Sequence, residues 1–226
     1  MTEAFPFLDP LNALPGIRAG WIERITDLPL ALDRDEALQA LQPYHTAAIH
    51  HFAGASATWV RAEQVHGTMV ARIPGAVTSL APDGPPVVPL ADGLITCEPG
   101  IVLAIYVADC GPIWLADQKT GAIGLVHSGR KGTEGNILAS ALRQMEIHFG
   151  TAACDVIVVL GPCIRPPDYE VDFAAQIAQQ AIEAGVSSFT DCGQNTATNL
   201  QRHYSYRREM GKTGRMMALL MKTLPE

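Results

Sequence analysis

The chain has 226 residues, 48% of them hydrophobic and 17% charged, which is enough apolar material for a substantial core and argues against disorder. Its formal net charge of −7 and pI near 5.5 argue against non-specific binding to nucleic acid or to an anionic membrane, because both need a basic face. The longest apolar run, at 101–108, is far shorter than the roughly 20 residues that cross a bilayer. We therefore expect neither nucleic acid nor a membrane as a partner.

The cysteines and the N-terminal residues indicate the compartment. The five cysteines are odd in number and include no C-x-x-C pair, so we interpret them as thiols in a reducing environment rather than as a disulfide framework. Residues 1–17 lack the basic region followed by an apolar region that a signal peptide contains. These features predict a cytoplasmic protein.

The first predicted helix covers 32–41, with Asp33 as its cap and with Leu38 and Leu41 on one face. Two strand-like runs then meet at His66–Gly67, and four more short strands follow, punctuated by Gly, Pro and Asp. These runs lie at 58–66, 68–73, 93–98, 101–109, 111–117 and 121–127. The Gly- and Pro-rich stretch 75–93 predicts a long surface loop, flanked by strands that we expect to pair in one sheet.

The second half of the chain is richer in helices. The clearest helix covers 132–149, with Thr133 as its cap and an apolar stripe along one side. A buried strand at 155–161, a helix at 172–185 ended by glycine and a final amphipathic helix at 213–224 follow. Because the strands cluster in the middle and the helices do not alternate strictly with them, we predict an α+β fold in layers and a single domain over 1–226.

Three reactive side chains, His66, Cys110 and His127, lie where apolar runs end in turns. Each alone is more often a structural residue than a ligand, but strand ends at one edge of a sheet are where sites are usually assembled. Two imidazoles and a thiolate suit zinc, with a fourth tetrahedral position left for water or substrate. Zinc would lower the pKa of such a water toward about 7 and would ionise the cysteine. The sequence therefore predicts one zinc site.

Charged side chains accompany this cluster. Arg130 and Lys131 lie in a glycine-rich turn before a helix, where free N–H groups and the helix dipole favour an anion such as phosphate. A solvated turn explains the same pattern equally well. Asp109 directly precedes Cys110, where it can act as an acid or base or as a hydrogen-bond partner of a metal ligand.

Six longer stretches occur along the chain in a fixed order: QVHGTMV, ADGLIT, VADCGPIWLAD, GLVHSGRKGT, GPCIRPPDYEVD and YSYRREMGKTGRMMALL. Together they resemble the YfiH-like proteins, which are labelled multicopper polyphenol oxidoreductases or laccases, over about residues 55 to 222. The resemblance implies that His66, Cys110 and His127 are the zinc ligands and the catalytic cluster. It also implies a layered α/β/β/α fold shared with the cytotoxic necrotizing factor toxins. The activities it implies are phosphorolysis of purine nucleosides and of methylthioadenosine, and deamination of adenosine.

The chain departs from the family pattern in three places. The family has Trp-Arg after HAG, whereas Arg130 and Lys131 follow HSG here, so that a lysine point charge replaces an arginine. The glycine-rich N-terminal segment of the family is absent, and so is the helix that usually precedes YSYRRE. These departures indicate a divergent subgroup of the family.

The leading hypothesis is a zinc-dependent purine nucleoside phosphorylase that also deaminates adenosine and cleaves methylthioadenosine. Its partners would be a purine nucleoside and phosphate, and it would act as a monomer or a small homo-oligomer. Phosphate held by basic side chains, for which Lys131, Arg130 and Arg207 are the candidates, would attack C1′ of the ribose as the base departs.

Three alternatives stay open. Histidine and cysteine also suit copper, so a polyphenol oxidase (laccase) fits the ligands, although a multicopper centre needs many imidazoles and the chain has seven histidines. A metal-free hydrolase or deamidase would use Cys110 activated by His127. A non-catalytic binding domain would keep the metal as a staple, and a closed fourth coordination position would favour that alternative.

Overall fold

Two β-sheets and a small set of helices make up the fold. The computed structural model describes residues 5–26, 28, 31–55, 57–75, 79–80 and 85–224. In chain order the strands are β1 (Ile17–Ile22), β2 (Thr58–Ala62), β3 (Val70–Arg72), β4 (Ser79–Leu80), β5 (Pro86–Val88), β6 (Gly93–Thr96), β7 (Ile101–Val107), β8 (Gly111–Asp117), β9 (Ile123–Ser128), β10 (Val156–Leu160), β11 (Ser188–Asp191) and β12 (Met216–Lys222). The helices are α1 (Asp9–Asn12), α2 (Arg34–Ala53), α3 (Arg130–Glu134), α4 (Ile137–Phe149) and α5 (Phe173–Ala184).

The strands form two six-stranded sheets. The A sheet has the order β1-β12-β7-β2-β5-β4, and the B sheet has the order β11-β10-β8-β9-β6-β3. Most neighbouring strands are antiparallel, but β2 pairs in parallel with both β7 and β5, β3 with β6, and β10 with β11. Among the described residues, no helix has both the length and the apolar character needed to cross a membrane.

Successive side chains of a strand point to opposite faces, and this alternation produces the layers. In β7, Leu103 joins the core between the sheets together with Trp114 of β8. Its neighbour Val102 belongs to a separate core with Ile49 of α2, which therefore covers the outer face of the A sheet. Ile113 of β8 lies in a third core with side chains of α4 and α5, which cover the B sheet. The predicted layered α+β fold, with the order α/β/β/α, is confirmed.

The described strands pass between the two sheets six times along the chain, and two of these passages carry predicted site residues. The two runs that meet at His66–Gly67 are strands as predicted, but β2 belongs to the A sheet and β3 to the B sheet. In the same way β7 lies in the A sheet and β8 in the B sheet, so that Cys110 lies in the connection between them. The strands flanking the predicted loop at 75–93, β3 and β6, pair in one sheet as expected.

The predicted C-terminal helix at 213–224 is wrong, because Met216–Lys222 forms the strand β12. Methionine and leucine favour helices, and the run has no alternation of apolar and polar residues. β12 lies between β1 and β7 with both faces covered, and a strand buried on both faces has a continuous apolar sequence. Periodicity does not distinguish such a run from a buried helix.

Other elements also differ from the predictions. The helix expected at 32–41 continues to Ala53 through Pro43, and the helix expected at 132–149 is divided into α3 and α4. Asn136, not Thr133, caps α4, because its Oδ1 accepts from the N–H of Ala139 at 3.1 Å. The sequence predictions contain neither β1 nor β11, and the predicted loop at 75–93 includes β4 and β5, while 76–78 and 81–84 lie outside the described residues.

The interior histidine of α2 makes stability depend on pH. His45 is fully buried and its ring lies 5.2 Å from that of Tyr106, with Arg215 also packed beside it. Burial lowers the pKa of this imidazole from 6.5 to about 4, and a main-chain contact at Arg215 offsets little of the effect. The unfolded chain therefore takes up a proton between these two pH values, whereas the folded chain does not.

We expect stability to fall as the pH drops from 6.5 to about 4, with His45 contributing about 3 kcal/mol to the loss. Urea unfolding at a series of pH values measures the slope, and His45→Phe should remove this part of it. Gln39→Ala, at an exposed position of the same helix, removes no titratable group and should leave the slope unchanged. A slope that is the same in His45→Phe and the wild type would contradict the assignment.

Candidate metal centre

The structure brings together the three side chains that the sequence singled out. One ligand atom from each of His66, Cys110 and His127 lies within 4.8 Å of the others. His66 follows β2 of the A sheet, Cys110 lies between β7 and β8, and His127 belongs to β9 of the B sheet. The cluster is therefore built at the seam between the two sheets. His127 is buried, Cys110 is half-buried and His66 is exposed, so the cluster faces outward on the His66 side.

A buried carboxylate, Asp92, fixes the positions of both histidines. Its Oδ1 lies 2.8 Å from Nδ1 of His127, which leaves Nε2 of that ring as the ligand atom. The same carboxylate accepts hydrogen bonds from the N–H groups of Val65, His66 and Gly67 at 3.1, 2.9 and 2.7 Å. Asp92 thus ties the turn that carries one histidine to the strand that carries the other.

The turn at 64–67 has a left-handed backbone at two residues that are not glycine. Gln64 has φ +68° and His66 has φ +63°, a conformation that costs of order 1 kcal/mol or more per residue. The side chain of Gln64 compensates by pairing with the main chain of Tyr106, whose N–H donates to Oε1 at 2.8 Å. Its amide nitrogen donates in turn to the Tyr106 carbonyl. Two hydrogen bonds with β7 therefore offset the strain.

Cys110 has room for its sulfur because residue 129 is a glycine. A Cβ at Gly129 would lie 2.6 Å from Sγ of Cys110 and 3.6 Å from Cδ2 of His66. Any larger residue would push the thiol out of the cluster. The position of the sulfur thus requires a glycine two residues after His127.

Asp109 directly precedes Cys110, but its carboxylate forms its hydrogen bonds with another part of the chain. Oδ1 accepts from Oγ1 of Thr196 at 2.6 Å, and Oδ2 accepts from Oγ of Ser205 at 3.1 Å and from the N–H of Arg207 at 2.7 Å. The hydrogen-bond partner of a predicted metal ligand is therefore Asp92, and Asp109 anchors the segment 196–207. The sequence contains Asp92 in the ADGLIT stretch, where an Asp-Gly pair normally indicates only a turn.

Cys110 and His127 each stabilise the charged form of the other. Burial raises the pKa of the Cys110 thiol, but the positive charge of His127 and hydrogen bonds from both histidines outweigh this effect and lower it. Burial lowers the pKa of His127, and the Cys110 thiolate and Asp92 outweigh that effect and raise it. The thiolate is the form of cysteine that binds metals and attacks electrophiles, so both functions are chemically open to Cys110.

A cavity of about 910 Å³ opens beside the cluster, and all three predicted phosphate-binding residues line it. Arg130 forms an ion pair with Glu134 at 2.8 Å, and Arg207 forms one with Glu170, with all four side chains about half exposed. Lys131 is exposed and, within the described part of the chain, has no carboxylate at ion-pair distance. Two of the three predicted cations therefore already have partners.

The donor set fits a metal ion. Two imidazole nitrogens and a thiolate are the ligands of many zinc sites, and a fourth position on the solvent side suits a catalytic rather than a closed structural site. The same donors accept copper. Across the described residues, this is the one cluster of three or more histidine, cysteine or acidic side chains close enough together to hold an ion.

Comparison with known protein families identifies the family of this chain. The family model described as multi-copper polyphenol oxidoreductase laccase matches residues 26–181 and 171–223. The chain belongs to this family. The resemblance to YfiH-like, laccase-labelled proteins that the sequence predicts is thereby confirmed.

The names of similar proteins state a different activity from the laccase of the family name. The chain is 30% identical over 195 residues to "Purine nucleoside phosphorylase YlmD" of Geobacillus stearothermophilus, covering 72% of this chain and 71% of that one. It is 34% identical over 188 residues to "Purine nucleoside phosphorylase" of Deinococcus radiodurans, covering 72% and 69%. The crystal structure of YlmD from Geobacillus stearothermophilus superposes with a TM-score of 0.80 at 24% identity, covering 93% of each chain, which establishes the shared fold.

Asp92→Asn should weaken metal binding in this family member. The substitution removes the negative charge that faces His127 and replaces one acceptor oxygen by an NH₂ group. We expect zinc affinity, measured by competition with a chromophoric chelator, to fall by roughly 10- to 100-fold.

Asp117→Asn provides the matched control. Asp117 is equally buried and accepts hydrogen bonds from Lys119 and Thr120, but it lies at the other end of β8, roughly 20 Å from Cys110. That variant should lose stability and keep its zinc affinity. Equal affinities in Asp92→Asn and the wild type would show that Asp92 does not orient the ligands.

Proposed function

We propose that this chain is a purine nucleoside phosphorylase whose reaction depends on a zinc ion held by His66, Cys110 and His127. The observation that carries the proposal is an outward-facing cluster of two imidazoles and a thiolate in the wall of a cavity that is also lined by cationic and aromatic side chains. The names of the relatives that are 30% and 34% identical support the phosphorylase activity.

Each residue around the cluster has a separate role in this proposal. His66, Cys110 and His127 supply the three donor atoms, and Asp92 holds the ring of His127 and the main chain of His66 in place. When bound, zinc supplies Lewis-acid chemistry at neutral pH. Gln64 and Gly129 keep the turn and the sulfur where these donors converge.

The cavity has the size and lining that a nucleoside requires. At about 910 Å³ it lies within the usual range for small-molecule sites. Tyr169, Phe173 and Tyr206 contribute aromatic surface against which a purine can stack. Lys131, exposed at the same cavity, attracts the phosphate.

The reaction in such a cavity is a displacement at the ribose. An oxygen of phosphate forms a bond to C1′ while the bond from C1′ to N9 of the purine breaks. The electron pair of that bond goes to the purine, which takes up a proton and leaves as the free base. The protein contributes by holding both reactants in one cavity and excluding water from it.

We extend the proposal to methylthioadenosine and to deamination of adenosine. Apolar side chains of Ile164 and Met210 in the cavity wall suit a 5′-methylthio group. In deamination, water adds to C6 of the purine and ammonia leaves, so that this reaction needs no phosphate. The two reactions can therefore be separated by leaving phosphate out of the assay.

One observation favours a second candidate, a cysteine hydrolase or deamidase. The pairing of Cys110 with His127 stabilises the thiolate, as in cysteine enzymes that use no metal. Iodoacetamide distinguishes the two candidates: a zinc-bound Cys110 reacts only after chelation, whereas a free catalytic thiolate reacts at once. Cys154, which is exposed, should react in both cases and serves as the internal control.

Wild-type protein supplied with adenosine and phosphate should produce adenine, inosine or hypoxanthine. Chromatography of the reaction mixture measures these products. His66→Ala should lower the rate by roughly 100-fold or more, because loss of a ligand removes several kcal/mol of stabilisation of the transition state. His51→Ala, exposed near the end of α2, should keep the wild-type rate.

Two results would contradict the proposal. One is full phosphorolysis by His66→Ala. The other is a wild-type protein that leaves adenosine unchanged but oxidises phenols with oxygen when it is loaded with copper, which would favour the laccase alternative.

A further inference from the structure

Two arginines that the sequence analysis does not single out line the same cavity as the cluster. Arg34 is the first residue of α2, and Arg215 directly precedes β12. The two are far apart in the sequence but interact electrostatically at one cavity, because α2 covers the A sheet, in which β12 is a central strand. Arg215 is 9% exposed, which is unusual for a charged side chain.

Neither guanidinium is neutralised by a carboxylate at ion-pair distance in the described part of the chain. Arg215 donates through Nη1 to the carbonyls of Thr213 and Gly214 at 2.8 and 2.9 Å. Arg34 donates through Nη2 to the carbonyl of Glu63 at 2.6 Å. Main-chain oxygens orient both groups, but they do not cancel the charges.

Two acidic groups near this pair, Glu63 and Asp109, form their hydrogen bonds elsewhere. The carboxylate of Glu63 accepts from the N–H of Leu90 at 2.7 Å, and that of Asp109 takes its three donors from the segment 196–207. Burial lowers the pKa of Arg215, and the neighbouring charge of Arg34 lowers it further, while Cys110 and Asp109 offset this only in part. A buried cation that faces a second cation is costly unless an anion joins them.

The phosphate-binding side chains predicted from the sequence are more exposed than Arg215, and two of the three already form ion pairs. Arg130 and Arg207 are about half exposed and already form ion pairs with Glu134 and Glu170. Binding phosphate there would require breaking an existing pair. Lys131 has no such partner, but its ammonium is exposed to water. The pair Arg34 and Arg215 is the more desolvated arrangement, and it is held in place by main-chain contacts.

We propose that Arg34 and Arg215 form the seat of a tetrahedral oxyanion, which is inorganic phosphate if the chain is the phosphorylase proposed above. Arginine suits this ligand because its planar group donates two parallel hydrogen bonds to phosphate oxygens. Arg215 also lies within electrostatic reach of Cys110, so the seat adjoins the metal cluster. An anion here stands in the same cavity as a nucleoside bound against the aromatic wall.

The first test is binding of inorganic phosphate to the full-length wild-type protein by titration calorimetry, in buffer free of other oxyanions. Arg34→Gln and Arg215→Gln should each weaken binding by roughly tenfold or more, because each removes a charge-assisted pair of hydrogen bonds. Arg61→Gln is the matched control: it removes a positive charge that interacts with Arg34, but Arg61 does not line the cavity. It should change phosphate affinity by less than about twofold, since only long-range charge is lost.

The second test is kinetic. In phosphorolysis of adenosine, Arg34→Gln and Arg215→Gln should raise KM for phosphate by about tenfold or more and leave KM for adenosine nearly unchanged, because the seat contacts only the anion. If Arg215→Gln does not fold, as judged by circular dichroism, Arg34→Gln carries both tests, since its side chain is only partly buried.

The outcomes separate the seat from the proposed function. Phosphate binding that depends on both arginines, without any phosphorolysis, would support the seat and contradict the phosphorylase. Wild-type protein that binds no phosphate, or Arg34→Gln that binds it as tightly as wild type, would overturn the seat. Equal losses in Arg61→Gln would also overturn it, because the effect would then be one of net charge.

Discussion

The site depends on one buried carboxylate. Asp92 is fully buried, and it receives three main-chain N–H groups from the turn at 64–67 and the Nδ1 side of His127. The donors come from the connection between β2 of the A sheet and β3 of the B sheet, and from β9 of the B sheet, so Asp92 holds the place where the chain crosses between the layers. A buried carboxylate needs such partners, and supplying them fixes the imidazole of His127 and the turn that carries His66. Burial raises the pKa of Asp92, but His127 and the N–H groups outweigh this and lower it.

The chemistry of the site follows from this arrangement. The sheets bury His127 and half-bury Cys110, while the left-handed turn leaves His66 exposed. Donors that converge from a buried strand and an exposed turn leave one side of the cluster free, and that side faces a cavity with cationic and aromatic walls. A metal held there would be in contact with whatever the cavity binds, which is the requirement for a catalytic site and not for a structural staple.

The sequence predicts the three side chains of the cluster because each ends an apolar run. This pattern can be recognised without knowledge of the fold. It does not predict Asp92, since an Asp-Gly pair has the same appearance in any turn and the partner His127 is 35 residues away. Arg34 is equally invisible, because its relation to Arg215 arises only when α2 packs on the A sheet. The role of arginine at both positions depends on burial, and burial is a property of the fold.

The secondary structure is likewise predictable from the sequence only in part. Strands such as β7 and β9 are predictable, because they are short apolar runs bounded by Gly, Pro and Asp. β12 is not, because its Met- and Leu-rich sequence fits a buried helix equally well and pairing with β1 and β7 decides the outcome. Sequence patterns likewise do not show that β2 and β3 join different sheets, although this crossing positions His66.

The measurement that tests the account most directly is X-ray absorption spectroscopy, with elemental analysis, on protein purified without added copper. The account predicts about one zinc per chain, with one sulfur and two imidazole nitrogens among its ligands and a lighter donor in the remaining position. Several copper ions per chain, or a zinc ion without a sulfur ligand, would contradict the assignment of His66, Cys110 and His127 as the metal centre.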